Sequence, residues 1–249
     1  MSPGQIRIDR AKAGTIEITI DRADKRNALT DHLAAELAEA LRSADANPDT
    51  RVIVLRGAGR TFCAGADLTE VSTASAVAPH RRYSTRAEIE QALAAMLASM
   101  TPILGIIEGH AVGGGVALAS LCTVVLASEE TNFRFPEADI GVFPAALVPF
   151  VATRIGVPRA VEWALTGRSV TAAQAHVAGL VDEVMPAGQL DGRADELTTL
   201  LAGRPARVLR AGMETRARLL EIADVSASLS AGRLIGSLFW PDADPPGHA

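Results

Sequence analysis

Two glycine-rich loops hold the residues of this chain best suited to chemistry. The first, Thr61-Phe62-Cys63-Ala64-Gly65-Ala66-Asp67-Leu68, follows the apolar run 52–55. The second, Gly113-Gly114-Gly115, lies between the apolar run 103–107 and the helix-like stretch 116–127. A chain that turns sharply from strand to helix favours residues without a Cβ at the turn. The unpaired N–H groups of a new helix then point at whatever oxygen lies ahead of them. Two such loops on one domain could converge on a single oxyanion, such as the enolate of a thioester.

The elements that must position these loops alternate along the chain. Ile16, Ile18 and Ile20 alternate with Glu17 and Thr19, which predicts a half-buried strand. Leu29, Leu33, Leu37 and Leu41 recur every fourth residue as an amphipathic helix, stopped by Asn47-Pro48-Asp49. Residues 51–55 form a buried strand. Residues 71–86, rich in Ala, Ser and Thr, are expected as a mobile lid or substrate-facing loop, and 87–100 as a helix ended by Thr101-Pro102. Short strands follow at 124–126, 131–135 and 181–185, with helices at 159–166 and 171–179. Thr171 and Gln174 stand at capping-box spacing and Gly179 supplies the stop. From Leu190 only helical periods remain, through about Leu238, and a Pro-rich tail expected to be disordered closes the chain. The pattern is an α/β core followed by a helical region.

Composition bounds the function classes. The chain has 249 residues, a 48% hydrophobic fraction and a net charge of −5, which suits one substantial core. An acidic balance argues against nucleic acid and membrane surfaces as partners. Two cysteines, Cys63 and Cys122, supply no disulfide framework, and the N-terminus lacks the apolar core of a signal peptide, so a cytoplasmic protein is expected.

Four segments together carry a resemblance: 21–29 (DRADKRNAL), 61–68 (TFCAGADL), 109–117 (GHAVGGGVA) and 135–144 (FPEADIGVFP). In order and spacing they resemble the crotonase, or enoyl-CoA hydratase/isomerase, family, over roughly residues 5–240. The resemblance implies a spiral of β-β-α units over 1–188 and a C-terminal helical region over 189–249 that packs against neighbouring subunits as a homotrimer or hexamer. It implies an acyl-CoA substrate whose thioester oxygen is held by the backbone N–H groups of Ala66 and Gly114. Each donor of such a hole is worth roughly 3–4 kcal/mol in the transition state. Lys25, Arg26, Ala28, Ala64, Asp67, Leu68 and Gly113 correspond by motif position to substrate contacts, with coenzyme A belonging to the substrate and no further cofactor or metal implied.

The chain also departs from the family pattern. Hydratases of the family place one glutamate two residues after the glycine triplet and another in a later Pro-Glu pair; here the first position is Ala117 and the second is Glu137. Hydrating a 2-enoyl thioester needs water activated at C3 and a proton delivered at C2, which two carboxylates share readily. Moving a double bond needs one base that takes a proton and returns it. Thr123 stands where the family often has Asp, Ala145-Ala146 stand where a glycine pair is common, and a final helix present in many relatives is expected to be absent after Trp240.

Blander readings compete at several positions. Cys63 reads as a small buried thiol rather than a nucleophile, and His110 as a packed, hydrogen-bonded histidine rather than a ligand contact. Asp139, a second carboxylate near Glu137, is expected to point elsewhere, and Asp67 to cap its own loop. Three functions remain in view: hydratase/isomerase chemistry through an enolate with Glu137 as acid/base; another reaction of the same enolate, such as decarboxylation or C–C hydrolysis; and non-catalytic acyl-CoA binding.

Overall fold

The computed structural model describes residues 4–67 and 87–222. Strand β1 (Gln5–Lys12) turns back on β2 (Thr15–Asp21) as an antiparallel pair. Beyond it, β3 (Val52–Gly57), β4 (Ile103–Ile107), β6 (Val124–Ser128) and β9 (Glu183–Met185) extend one six-stranded sheet in parallel, in the order β1-β2-β3-β4-β6-β9. A second sheet holds β5 (His110–Val112), β7 (Asn132–Arg134) and β8 (Val170–Thr171), in the order β5-β7-β8.

The winding has a simple rule. β4 joins the large sheet, β5 the small one, and helix α3 (Gly114–Leu121) follows; then β6 joins the large sheet and β7 the small one. After β3 the chain does the same in miniature, because Cys63 makes a parallel bridge to Ala111 of β5. Each turn of this α/β spiral therefore ends with a glycine loop or a Pro-Glu turn at the small sheet.

Helix α1 (Asp31–Ala46) starts where the Thr30 hydroxyl accepts from Leu33 N, and buries Leu33, Leu37 and Leu41 as their spacing predicts. It lies against α2 (Ala87–Ala98), whose Leu93 and Met96 are buried. Each fully buried side chain of this size contributes about 1.5–3 kcal/mol. On the other side of the sheet, Leu190 and Ala194 of α7 (Ala187–Ala202) cover Val52, Val54, Leu104, Ile106 and Leu126. The strands of the centre are thus apolar on both faces, and even Thr19 of β2 is buried. That corrects the half-buried strand expected there.

Helices α4 (Val148–Ile155), α5 (Val157–Thr166) and α6 (Ala172–Ala178) complete the core, and α8 (Ala206–Ile222) crosses it. Arg216 of α8 donates to Leu97 O at 3.4 Å and Leu121 O at 3.1 Å, satisfying carbonyls at the ends of α2 and α3. The helix expected from 116 to 127 ends at Leu121, where Cys122 turns the chain into β6. No described helix is long and apolar enough to cross a membrane. The lid expected over 71–86, the helical periods beyond residue 222 and the final tail lie outside the described residues.

Candidate active site

The two glycine loops and the Pro-Glu turn are joined backbone to backbone. Cys63 N donates to His110 O (3.1 Å) and Val112 N to Cys63 O (2.9 Å), which fastens the first loop along β5. Gly113 N donates to Arg134 O (2.8 Å), fastening the triplet to the strand that leads into the third loop. Ala64 N donates to Arg26 O, Leu29 N to Gly65 O, and Asp67 N to Leu29 O, so residues 26–29 run beside 64–67. The segments that carried the resemblance are neighbours in space.

The loops approach one another closely. A Cβ on Gly65 would lie 2.7 Å from Val112 O and 3.4 Å from Gly114 N. Gly113 caps α3 with φ +51°, a backbone conformation few other residues adopt. Gly114 then opens the helix, so its N–H has no partner one turn earlier within it. Among the described residues, neither Ala66 N–H nor Gly114 N–H donates to a backbone acceptor. These are the two groups that the motif positions single out.

Glu137 stands against this helix start. It sits in a 3-10 turn (Pro136–Ile140) closed by Gly141, whose N–H donates to Ala138 O at 3.1 Å. Val142 N donates to Glu137 O at 2.9 Å. A Cβ on Gly113 would lie 2.5 Å from Glu137 Oε1 and 3.8 Å from Oε2. The carboxylate therefore occupies the volume that a side chain at 113 would need. Ala117 lies one turn into α3 and is wholly buried.

The remaining candidates fall into place around this centre. Lys25 and Arg26 form the 3-10 turn Ala23–Lys25 and its left-handed cap, and Ala28 follows; all three lie on the segment alongside 64–67, and the Arg26 side chain is exposed. Asp67 is buried and pairs with Arg22 at 2.6 Å. Leu68 lies outside the described residues. Asp139 pairs with Arg134, whose Nε donates to Gly167 O at 2.7 Å, so its charge is directed at the end of α5, as expected. His110 is exposed on β5, which corrects the packed histidine expected there; only its backbone carbonyl enters the network. Burial pushes the Cys63 thiol up to about 12, and its sulfur accepts from Gly65 N at 3.4 Å, which fits a packing role. Thr123 uses its hydroxyl to accept from Ile103 N at 3.1 Å. Among the described residues, no three His, Cys, Asp or Glu side chains cluster as metal ligands would.

The residue that sequence reasoning passed over is Ile89. A Cβ on Gly114 would lie 2.5 Å from Ile89 Cδ1 and 3.9 Å from Gly65 Cα. It lies in the helix expected over 87–100, and nothing in the spacing signals that its tip reaches the glycine loops.

The fold and these loops define a crotonase-type enzyme, and the family model for enoyl-CoA hydratase/isomerase matches residues 10–234. The chain belongs to this family and is an enzyme of the kind that acts on CoA thioesters. It is 32% identical over 228 residues to the 2,3-dehydroadipyl-CoA hydratase of Escherichia coli, covering 91% of this chain and 87% of the relative. It is 31% identical over 225 residues to the peroxisomal Delta(3,5)-Delta(2,4)-dienoyl-CoA isomerase of Arabidopsis thaliana, covering 86% and 80%. Among solved structures, an enoyl-CoA hydratase/isomerase from Mycobacterium paratuberculosis superposes with a TM-score of 0.85 at 26% identity, covering 95% of this chain and 94% of that one.

Proposed function

We propose that this enzyme forms an enolate from an acyl-CoA thioester, with Ala66 N–H and Gly114 N–H holding the oxygen and Glu137 as the single acid/base. The observation that carries the reading is the contact of the Glu137 carboxylate with Gly113, one residue ahead of the Gly114 N–H. A base placed there takes a proton from the carbon next to the thioester while the electron pair moves onto the oxygen facing the two donors. Returned two carbons further on, the same proton moves a 3-enoyl double bond to the 2-position. Hydration would instead form its enolate by adding water at C3 of a 2-enoyl ester, the oxygen held by the same two donors, with a proton then placed at C2.

The wholly buried methyl at Ala117, where hydratases of the family carry a carboxylate, favours the one-proton reaction. Lys25 and Arg26 supply positive charge for the phosphates of coenzyme A, and Ala28, Ala64, Asp67, Leu68 and Gly113 serve as further substrate contacts. Decarboxylation or C–C hydrolysis through this enolate is the second reading, favoured by the same lack of a second carboxylate. The C-terminal region 189–249 serves assembly into a trimer or hexamer, a reading supported by the exposed Leu200, Val208 and Leu219 on its helices α7 and α8. The reaction is placed in the cytoplasm, and no cofactor beyond the substrate's own coenzyme A is needed.

The test is a panel of 2-enoyl- and 3-enoyl-CoA esters in deuterated water, read by mass spectrometry beside Glu137→Gln. The expected result is double-bond migration without gain of water, slowed 10²- to 10⁴-fold or more in the variant. Gain of water lost in the variant would make the enzyme a one-glutamate hydratase. Bound but unchanged esters would leave a binding protein.

A further inference from the structure

Glu137 and Ile89 reach the start of α3 from different elements and touch successive residues. Glu137 Oε1 fills the space beside Gly113, and the Ile89 δ-methyl fills the space beside Gly114. Neither group is among the atoms nearest the other glycine's Cβ position, so Glu137 and Ile89 lie beside different sides of this helix start. Between them, Gly65 Cα comes within 3.9 Å of the Cβ position of Gly114, which closes the site from the first loop. Ile89 itself is only partly buried, packed at the edge of the main core.

We infer that the Ile89 δ-methyl is the wall that sets which acyl groups enter, restricting the enzyme to thioesters without a second carbon substituent at the α-carbon. This rests on the enolate reading above. When the thioester oxygen faces Ala66 N–H and Gly114 N–H, the α-carbon lies one bond from the carbonyl, beside the helix end. With one α-hydrogen presented to Glu137, the other two positions on that carbon point away from the carboxylate, toward Ile89. A linear acyl chain places its chain in one of them and hydrogen in the other. An α-methyl group replaces that hydrogen with a carbon that meets the δ-methyl of Ile89. A β-branched isoleucine on a helix has one strongly preferred χ1, so the δ-methyl withdraws only by a turn at χ2, a cost that an α-methyl group must meet and a hydrogen does not.

The test is direct binding of two saturated esters, propanoyl-CoA and 2-methylpropanoyl-CoA, measured by calorimetry. Neither ester has a double bond to hydrate or shift, so discrimination is read apart from turnover. One methylene of fit in an apolar pocket is worth roughly 10- to 200-fold. The native enzyme is expected to favour propanoyl-CoA by a factor in that range, and both Ile89→Ala and Ile89→Val, which lack the δ-methyl, to bring the ratio toward one. Thermal denaturation of Ile89→Val, which keeps the branched packing, shows that the fold persists. Equal binding of both esters by the native enzyme, or the native preference retained in both variants, overturns the assignment of Ile89 while leaving the enolate reading standing. Failure of both esters to bind the native enzyme overturns both readings.

Discussion

Arg22 and Asp67 stand 45 residues apart in sequence and meet at 2.6 Å, with side chains only 11% and 9% exposed. The same Arg22 Nη1 donates to Ala28 O at 3.0 Å, and Arg22 N donates to Asn27 Oδ1 at 2.9 Å. Asn27, fully buried in a left-handed conformation, gives its amide to Ala58 O and Thr61 O. One cation thus ties the turn holding Lys25 and Arg26 to the loop holding Ala66. Asp67, read from the sequence as a cap of its own loop, joins that loop to a second segment through Arg22.

Removing one member of so buried a pair leaves the other charge without its counterion. Arg22→Met is therefore expected to destabilise the protein by about 3–5 kcal/mol. Replacing both, as Arg22→Met with Asp67→Leu, is expected to recover most of that loss, since the stranded charge is gone. Urea denaturation of the two single variants and the double variant closes the cycle. Additive losses would mean that the pair acts as two separate residues.

Helix α6 offers a check confined to local structure. The Thr171 hydroxyl accepts from Gln174 N at 3.3 Å, and the Gln174 side chain accepts from Thr171 N at 3.0 Å. Thr171→Ala is expected to cost about 1 kcal/mol, a fall of roughly 2–4 °C in Tm for a chain of this size. An unchanged Tm would show that tertiary packing, not the cap, holds the end.

That capping box was legible in the sequence because both partners lie within one turn. The four-residue leucine period of α1 and the strand-glycine-helix order of the second loop were legible for the same reason. β1 was not, because on this mostly exposed edge strand only Ile6 and Ile8 alternate with polar residues, too short a run to show a period. β5 and β8 have three and two residues, too few to show a period. α4 begins Val148-Pro149, and its apolar run gave no helical rhythm against the preceding loop. In the site, motif positions indicated Ala66, Gly114 and Glu137, while Arg22 beside Asp67 and Ile89 beside Gly114 depend on contacts between distant segments.

The two thiols give a pH prediction. Burial raises both Cys63 and Cys122 from 9.0 to about 12. The unfolded chain therefore releases protons above pH 9 that the native chain still holds. Stability from this source is complete below the unfolded value and is lost as pH rises toward 12. The denaturation midpoint of the native protein should fall more steeply over that window than that of the double variant Cys63→Ala with Cys122→Ala. At pH 8 a thiol reagent should label neither cysteine until denaturant is added; rapid labelling of folded protein would contradict this burial.

The glycine triplet predicts three different outcomes for the same substitution. In Gly113→Ala the new methyl meets Glu137 Oε1 on a backbone with φ +51°, so the carboxylate must move and the turn is strained. Activity should fall at least 10²-fold while the ester still binds. In Gly115→Ala the methyl would overlap the backbone carbonyl of Cys63, which the Val112 N–H holds in place. Neither side can give way, so the principal loss is stability, about 1–3 kcal/mol or more. In Gly114→Ala the obstacle is the tip of the Ile89 side chain, which a change at χ2 can withdraw, so the stability loss should stay below about 1.5 kcal/mol. Kinetics and urea denaturation on the three variants separate the cases. Equal stability losses at 114 and 115 would mean that Ile89 is as immobile as the Cys63 carbonyl.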